Sequence, residues 1–157
     1  MLGKDGLLAP GRHKVTAAEF KATFVEAFPA SSTRAPLHTR WLRHRAAILG
    51  YVPIVSQWID GSFVTDKADP GDIDVVTVMT EVDYNALTPV EQSVLGSLLA
   101  GKATKAVWSI DSYPVFVVPA GHAAEAAVQK AVDGWHHEWS RVRGRPGVTK
   151  GYLEVTP

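Results

Sequence analysis

Hydrophobic positions along the chain recur first at helical and then at strand spacing. Residues 7–11, Leu-Leu-Ala-Pro-Gly, read as an extended lead-in. Thr16-Ala17-Ala18-Glu19 is a capping box, in which the Thr hydroxyl and the Glu carboxylate satisfy free backbone amides at a helix start. Phe20, Phe24, Ala27 and Phe28 follow at helical spacing, and Pro29 ends the segment. Ser31 to Thr33 offer caps for a second helix, with Pro36 tolerated in its first turn and Gly50 as its stop. Leu37, Trp41, Leu42, Ile48 and Leu49 form its apolar side. Arg40, Arg43, His44 and Arg45 read as its solvated face or, less simply, as an acceptor-docking surface.

The texture then changes. Residues 54–59 carry β-branched and aromatic side chains and predict a strand. Residues 73–79 are nearly all Val and Ile, which predicts a strand buried on both faces. Thr88-Pro89-Val90-Glu91 repeats the capping box and opens a helix running to about residue 100, closed by Gly101. Residues 106–118 predict a third strand region with a potential break at Pro114, because proline cannot donate to a ladder. Residues 122–139 are Ala-rich and helical, with Gly134 as a weak point. Residues 141–150 form a basic, glycine-containing loop, and 152–155 a short final strand. This order predicts an α+β or α/β domain, a small mixed sheet flanked by helices. No internal repeat divides the chain. It reads as one domain over residues 1–157, with N-terminal helices over about 16–49 and the basic loop at its C-terminal end.

Composition narrows the function classes. The 157 residues are 46% hydrophobic and 20% charged, which excludes a disordered chain. Sixteen basic and sixteen acidic side chains cancel to +0, so any grip on nucleic acid must come from a local patch. The absence of cysteine excludes disulfides, thiolate nucleophiles and thiolate metal sites. No apolar run approaches the roughly 20 residues that span a bilayer, and residues 1–11 lack a secretory leader's apolar stretch. The expectation is a cytoplasmic protein without a membrane partner; oligomeric state is not legible.

One stretch carries chemistry. Asp72 and Asp74 lie two apart at the head of a strand, so they project from one face while Ile73 and Val75 pack behind. Two carboxylates roughly 6 Å apart repel by about 3 kcal/mol at an effective dielectric of 20. A hard cation such as Mg²⁺ (or Mn²⁺) relieves that repulsion and keeps open positions for phosphates. Gly61 lets a backbone amide approach a phosphate closely, and the Ser62 hydroxyl donates to the same oxyanion. Two-metal phosphoryl transfer uses a third carboxylate. Asp111 is the candidate, and it reads equally as a turn residue opening its strand. Lys67 is a candidate phosphate contact or a solvated loop lysine. Lys150 is a second candidate for the triphosphate, and Arg141, Arg143 and Arg145 are solvated or touch RNA. The acids at 66, 69, 72 and 74 do not make an EF-hand, since Thr77 stands where its late glutamate belongs. His136 and His137 are adjacent and point apart on a helix, against a shared zinc. Trp135 and Trp139, one turn apart, read as core or interface.

Gly61-Ser62, nine intervening residues and Asp72-Ile73-Asp74 together resemble the signature of the DNA polymerase β-type nucleotidyltransferase superfamily. The chain is similar in size to its minimal members, including the antitoxin nucleotidyltransferases. Residues 58–76, with the closing 150–155, resemble a bacterial and phage group of that fold. The resemblance implies Mg²⁺-dependent transfer of a nucleoside monophosphate from an NTP to a protein side chain or an RNA end, in a toxin–antitoxin or phage-defence setting. The alternative is a catalytically inactive module of the same fold that binds nucleotide or a partner. It implies that Gly61 and Ser62 hold the triphosphate and that Asp72, Asp74 and Asp111 bind metal. Two positions depart from the family pattern: Asp60 stands where an apolar residue is usual, and Phe63-Val64 stand where minimal members often carry arginine.

Overall fold

The computed structural model describes residues 1–156. Five strands form one mixed sheet in the order β1-β5-β2-β3-β4. They are β1 (Gly11–Val15), β2 (Ser56–Asp60), β3 (Ile73–Thr80), β4 (Ile110–Val117) and β5 (Gly151–Val155). β1 runs parallel to β5 and β3 parallel to β4, while β2 is antiparallel to both β5 and β3. The α+β class expected from the residue pattern is the observed one.

Helices cover both faces. α1 (Ala17–Lys21) starts at the Thr16 capping box and widens into a π turn over Ala22–Glu26. α2 (Arg34–Leu49) follows, and its Leu37, Trp41 and Ile48 are buried against one face of the sheet. That face carries Ile59, Ile73, Val75, Ile110, Leu153 and Val155, all fully buried. Each such side chain contributes about 1.5–3 kcal/mol by leaving water. α4 (Pro89–Leu98) opens at the second capping box and extends this layer with Leu95 and Leu98. α6 (Glu125–Trp139) covers the opposite face, where Trp139 packs with Trp58, Val76, Val78, Val115 and Tyr152. Trp139 is core, and the half-buried Trp135 rests on it and on Tyr113 at the core's edge.

Several expectations are corrected. Residues 11–15, of which only Gly11 fell within the expected lead-in, form an edge strand that was not foreseen. Residues 105–108 form a helical turn, α5 (Lys105–Trp108), instead of starting the third strand, because Ser109 turns the chain through the left-handed region at φ 55°. Pro114 leaves β4 unbroken: β4 is an edge strand, so a missing donor on its outer side costs no ladder bond. Gly134 leaves α6 intact. A short helix not foreseen, α3 (Glu81–Asn85), is capped by the Thr80 hydroxyl accepting from the Asp83 amide at 3.0 Å. His44, read as solvated, is fully buried, and its Nε2 donates to the Leu98 carbonyl at 2.8 Å. Burial lowers its pKa and keeps it neutral.

Candidate active site

The sheet register gathers the acids. Asp60 ends β2 and pairs across to Asp74 on β3; Asp74 in turn pairs with Asp111 on β4. Paired residues share a face, so three carboxylates stand in a row on the α6 side, at the end of the sheet that α6 leaves open. Asp72, two residues before Asp74, joins them. All four line one cleft of about 910 Å³ together with Gly61 and Ser62. Asp60 and Asp111 are each only 6% exposed.

The charges are not evenly answered. Lys150, just before β5, donates to the Asp60 carboxylate, and both partners are nearly buried. Lys105 on α5 pairs with Asp72. The carboxylates of Asp74 and Asp111 have no ion pair or hydrogen bond among the described residues, and Asp111 Oδ1 is a buried oxygen without a partner. The Asp74 carboxyl is pushed up from the usual 3.8 to about 6, first by burial and then by the charges of Asp72, Asp60 and Asp111. Burial also raises Asp60 to about 6, against the opposing pull of Lys150.

Gly61 makes the row possible. Its φ is 80°, a conformation that costs other residues about 1–2 kcal/mol. A Cβ there would run into the Asp74 carboxylate. The turn it begins, Gly61–Val64, is a short 3-10 segment, closed by the Thr65 hydroxyl donating to the Ser62 carbonyl at 2.8 Å. Arg34 holds that turn from beneath. Its guanidinium is fully buried and donates to the carbonyls of Phe24 (2.7 Å), Phe63 (2.7 Å), Thr65 (2.8 Å) and Lys67 (2.6 Å).

The structure brings Gly61, Ser62, Asp72, Asp74, Asp111 and Lys150 into one cleft, but not Lys67. The Lys67 backbone is tied to Arg34 and its exposed side chain lies away from the cleft lining. Asp69, from the same acidic loop, instead accepts from the Ser32 amide (2.8 Å) and the Ser31 and Ser32 hydroxyls ahead of α2. Asp60, Lys102 and Lys105 belong to the cleft and were not singled out as site residues. Asp60 was visible only as a polar residue in an apolar slot. Lys102 and Lys105 carried a faint signal, their spacing of one helical turn, in a stretch between the Gly101 helix stop and the strand expected from residue 106. Arg34 had one: a cation in a helix's first turn opposes the macrodipole, so something other than the helix must stabilise it.

An all-oxygen donor set suits a hard divalent cation, and the unpartnered Asp74 and Asp111 point the same way. Among the described residues, however, no three His, Cys, Asp or Glu side chains converge closely enough to hold an ion as they stand. Lys105 is the competitor: a cation on Asp72 displaces its ammonium. The residues fit such an ion with that exchange as a condition.

Among the described residues no helix is long and apolar enough to cross a membrane. No curated protein and no solved structure matches the chain. One family model does, over residues 2–156 and so over nearly the whole length, and the chain therefore belongs to the family of unknown function DUF6932.

Proposed function

We propose that this protein is a minimal nucleotidyltransferase, moving a nucleoside monophosphate from an NTP to a hydroxyl on a macromolecular acceptor. The observation that carries the reading is Asp74: a half-buried carboxylate, flanked in register by two nearly buried ones, without a partner, and set against a glycine whose place no larger residue could take. A protein gains no stability from that arrangement; it is the kind of cost that persists where a ligand is bound.

Asp72, Asp74 and Asp111 would hold Mg²⁺ or Mn²⁺, which neutralises the phosphates and lowers the cost of forming the new bond. Gly61 and Ser62 offer a backbone amide and a hydroxyl to the triphosphate, and Arg34 keeps their turn rigid. Lys150 reaches the same cleft but is engaged by Asp60, so it acts there as a fixed positive charge. The acceptor oxygen forms a bond to the α-phosphorus, the bond to the β-phosphate bridge breaks, and pyrophosphate leaves. The hydroxyl proton passes to the carboxylate row. Catalysis of this kind is mostly positioning and charge neutralisation.

A second reading has its own support. Lys105 and Lys150 already neutralise Asp72 and Asp60, as in a module that binds nucleotide or a partner without chemistry. Incubation with each α-labelled NTP, Mg²⁺ or Mn²⁺ and host lysate separates the two. Label on protein or RNA, lost in Asp74→Asn, supports transfer. Thermal stabilisation by Mg²⁺-NTP without label supports the binding module. Neither effect with any NTP removes transfer and nucleotide binding alike and leaves only a partner-binding module.

A further inference from the structure

The wall facing the acids is basic and is not explained by the triphosphate. Residues 141–150 connect α6 to β5, contain no acidic side chain, and line the same cleft through Arg141, Arg143, Arg145 and Lys150. The loop is a built element. The Lys150 amide donates to the Ser140 carbonyl at 2.9 Å and the Arg145 amide to the Val142 carbonyl at 3.0 Å. Gly144 and Gly147 take φ values of 75° and 80°, which fold it back on itself. Arg143 and Arg145 are exposed and have no ion pair among the described residues. Arg141 has only a 3.9 Å contact to Glu138, with both side chains about two-thirds exposed, so salt and water screen it. In a chain of net charge +0, three arginines on one ordered loop, two unpaired and one only weakly paired, are a local anion site.

We propose that this loop is a docking strip for the phosphodiester backbone of a single-stranded nucleic acid, which leads the strand's end to the carboxylate row. The inference deepens the transferase reading and rests on it for the role of that end. Three features favour a nucleic acid over a protein. Guanidinium forks match phosphate oxygens in pairs. The exposed part of the loop has no aromatic or large apolar anchor, which a protein interface needs at its centre. The cleft, about 910 Å³, is near the upper end of the roughly 300–1,000 Å³ typical of small-molecule sites, room for a nucleotide and one strand end but not for a duplex. The lack of a stacking platform on the strip predicts binding that ignores sequence and depends on salt. Three phosphate contacts give a slope of about −2 in log K against log salt, a roughly twentyfold loss between 50 and 200 mM.

The test is fluorescence anisotropy of the full chain with a short labelled oligouridylate, the same measurement with oligothymidylate, and a labelled polyglutamate peptide as the protein-like polyanion. Binding of one or both oligonucleotides with that slope, reduced at least tenfold in Arg141→Gln/Arg143→Gln/Arg145→Gln, supports the strip; whichever strand binds tighter identifies the sugar. The triple variant must retain the wild-type melting curve and the wild-type shift with Mg²⁺-NTP. Arg143→Lys/Arg145→Lys, which keeps charge but loses the fork, should recover part of the affinity. Oligonucleotide binding unchanged in the triple variant, no binding by either strand, or equal binding of polyglutamate overturns the proposal. Loss of the Mg²⁺-NTP shift in the wild type itself would instead overturn the transferase reading, independently of the strip.

Discussion

Arg34 is fully buried and Asp74 half-buried at the cleft, and the chain treats these two ionisable side chains in opposite ways. Around Arg34 nearly every feature is cooperative, its Nε alone lacking a hydrogen-bond partner. Four carbonyls accept from its guanidinium, and the rings of Phe28 and Phe63 lie 3.8 and 5.1 Å from its centre. The neighbouring Trp41-Gln57-Thr77 chain is equally closed, with the indole donating to the Gln57 carbonyl oxygen and its amide to Thr77, both at 3.0 Å. Around Asp74 the neighbours are like charges, and the two lysines within reach are committed to Asp72 and Asp60. On that face the unpartnered buried atoms are single, uncharged or donor positions (Thr33 Oγ1, Arg34 Nε, His44 Nδ1), whereas on the other face whole carboxylates go unanswered. Closed networks make structure; the open one, at the mouth of a cleft, is what the proposed Mg²⁺-NTP site rests on.

The contrast is exposed to measurement, most forcefully at Arg34. Arg34→Met removes four donations and strands buried carbonyls, so it should cost about 3–5 kcal/mol and abolish the Mg²⁺-NTP shift by loosening the Gly61 turn. A urea melt close to wild type would mean those carbonyls are satisfied otherwise and that Arg34 is no keystone.

Asp74→Asn should act in the opposite direction. Relief of a two-unit rise in pKa is worth on the order of 2–3 kcal/mol, so the metal-free variant should melt higher than the wild type at neutral pH while losing all response to Mg²⁺-NTP. Destabilisation instead would show that the carboxylate is a structural acceptor. The same group sets a pH dependence. Its pKa is raised in the folded state from 3.8 to about 6, so the native protein binds the proton more tightly than the unfolded chain. That contribution to stability is complete below about pH 4 and is lost as pH climbs through about 6. Asp60, raised to a similar value, adds to the slope. Chemical denaturation across this window should show stability falling as pH rises, with the fall reduced in Asp74→Asn.

Lys105→Ala should be the gentlest. The lysine side chain is half exposed, and such pairs contribute about 0–1 kcal/mol. Its absence should nevertheless lower the Mg²⁺ concentration giving half of the thermal shift, because the ion no longer competes with an ammonium for Asp72. An unchanged midpoint would show that Lys105 does not occupy the cation's place.

Local chemistry was readable before any coordinates. The capping boxes at Thr16 and Thr88, the apolar run of β3 and the common face of Asp72 and Asp74 follow from contacts within a few residues and from the strand's period of two. Gly61 and Ser62 were also found, since a turn between two strands is a local event. What needed the tertiary structure were the partners of those residues. Whether Asp60 and Asp111 flank Asp74 depends on the registers of β2 and β4 against β3, and a slip of one residue would send them to the opposite face. The placement of β5 between β1 and β2, the burial of Arg34 and His44, and the lysines on Asp60 and Asp72 depend on which distant segments exclude water together. The sequence by itself determined which side chains each element presents, because that is decided by neighbours along the chain; only the packed sheet decided which of them meet, because burial energy belongs to the whole fold.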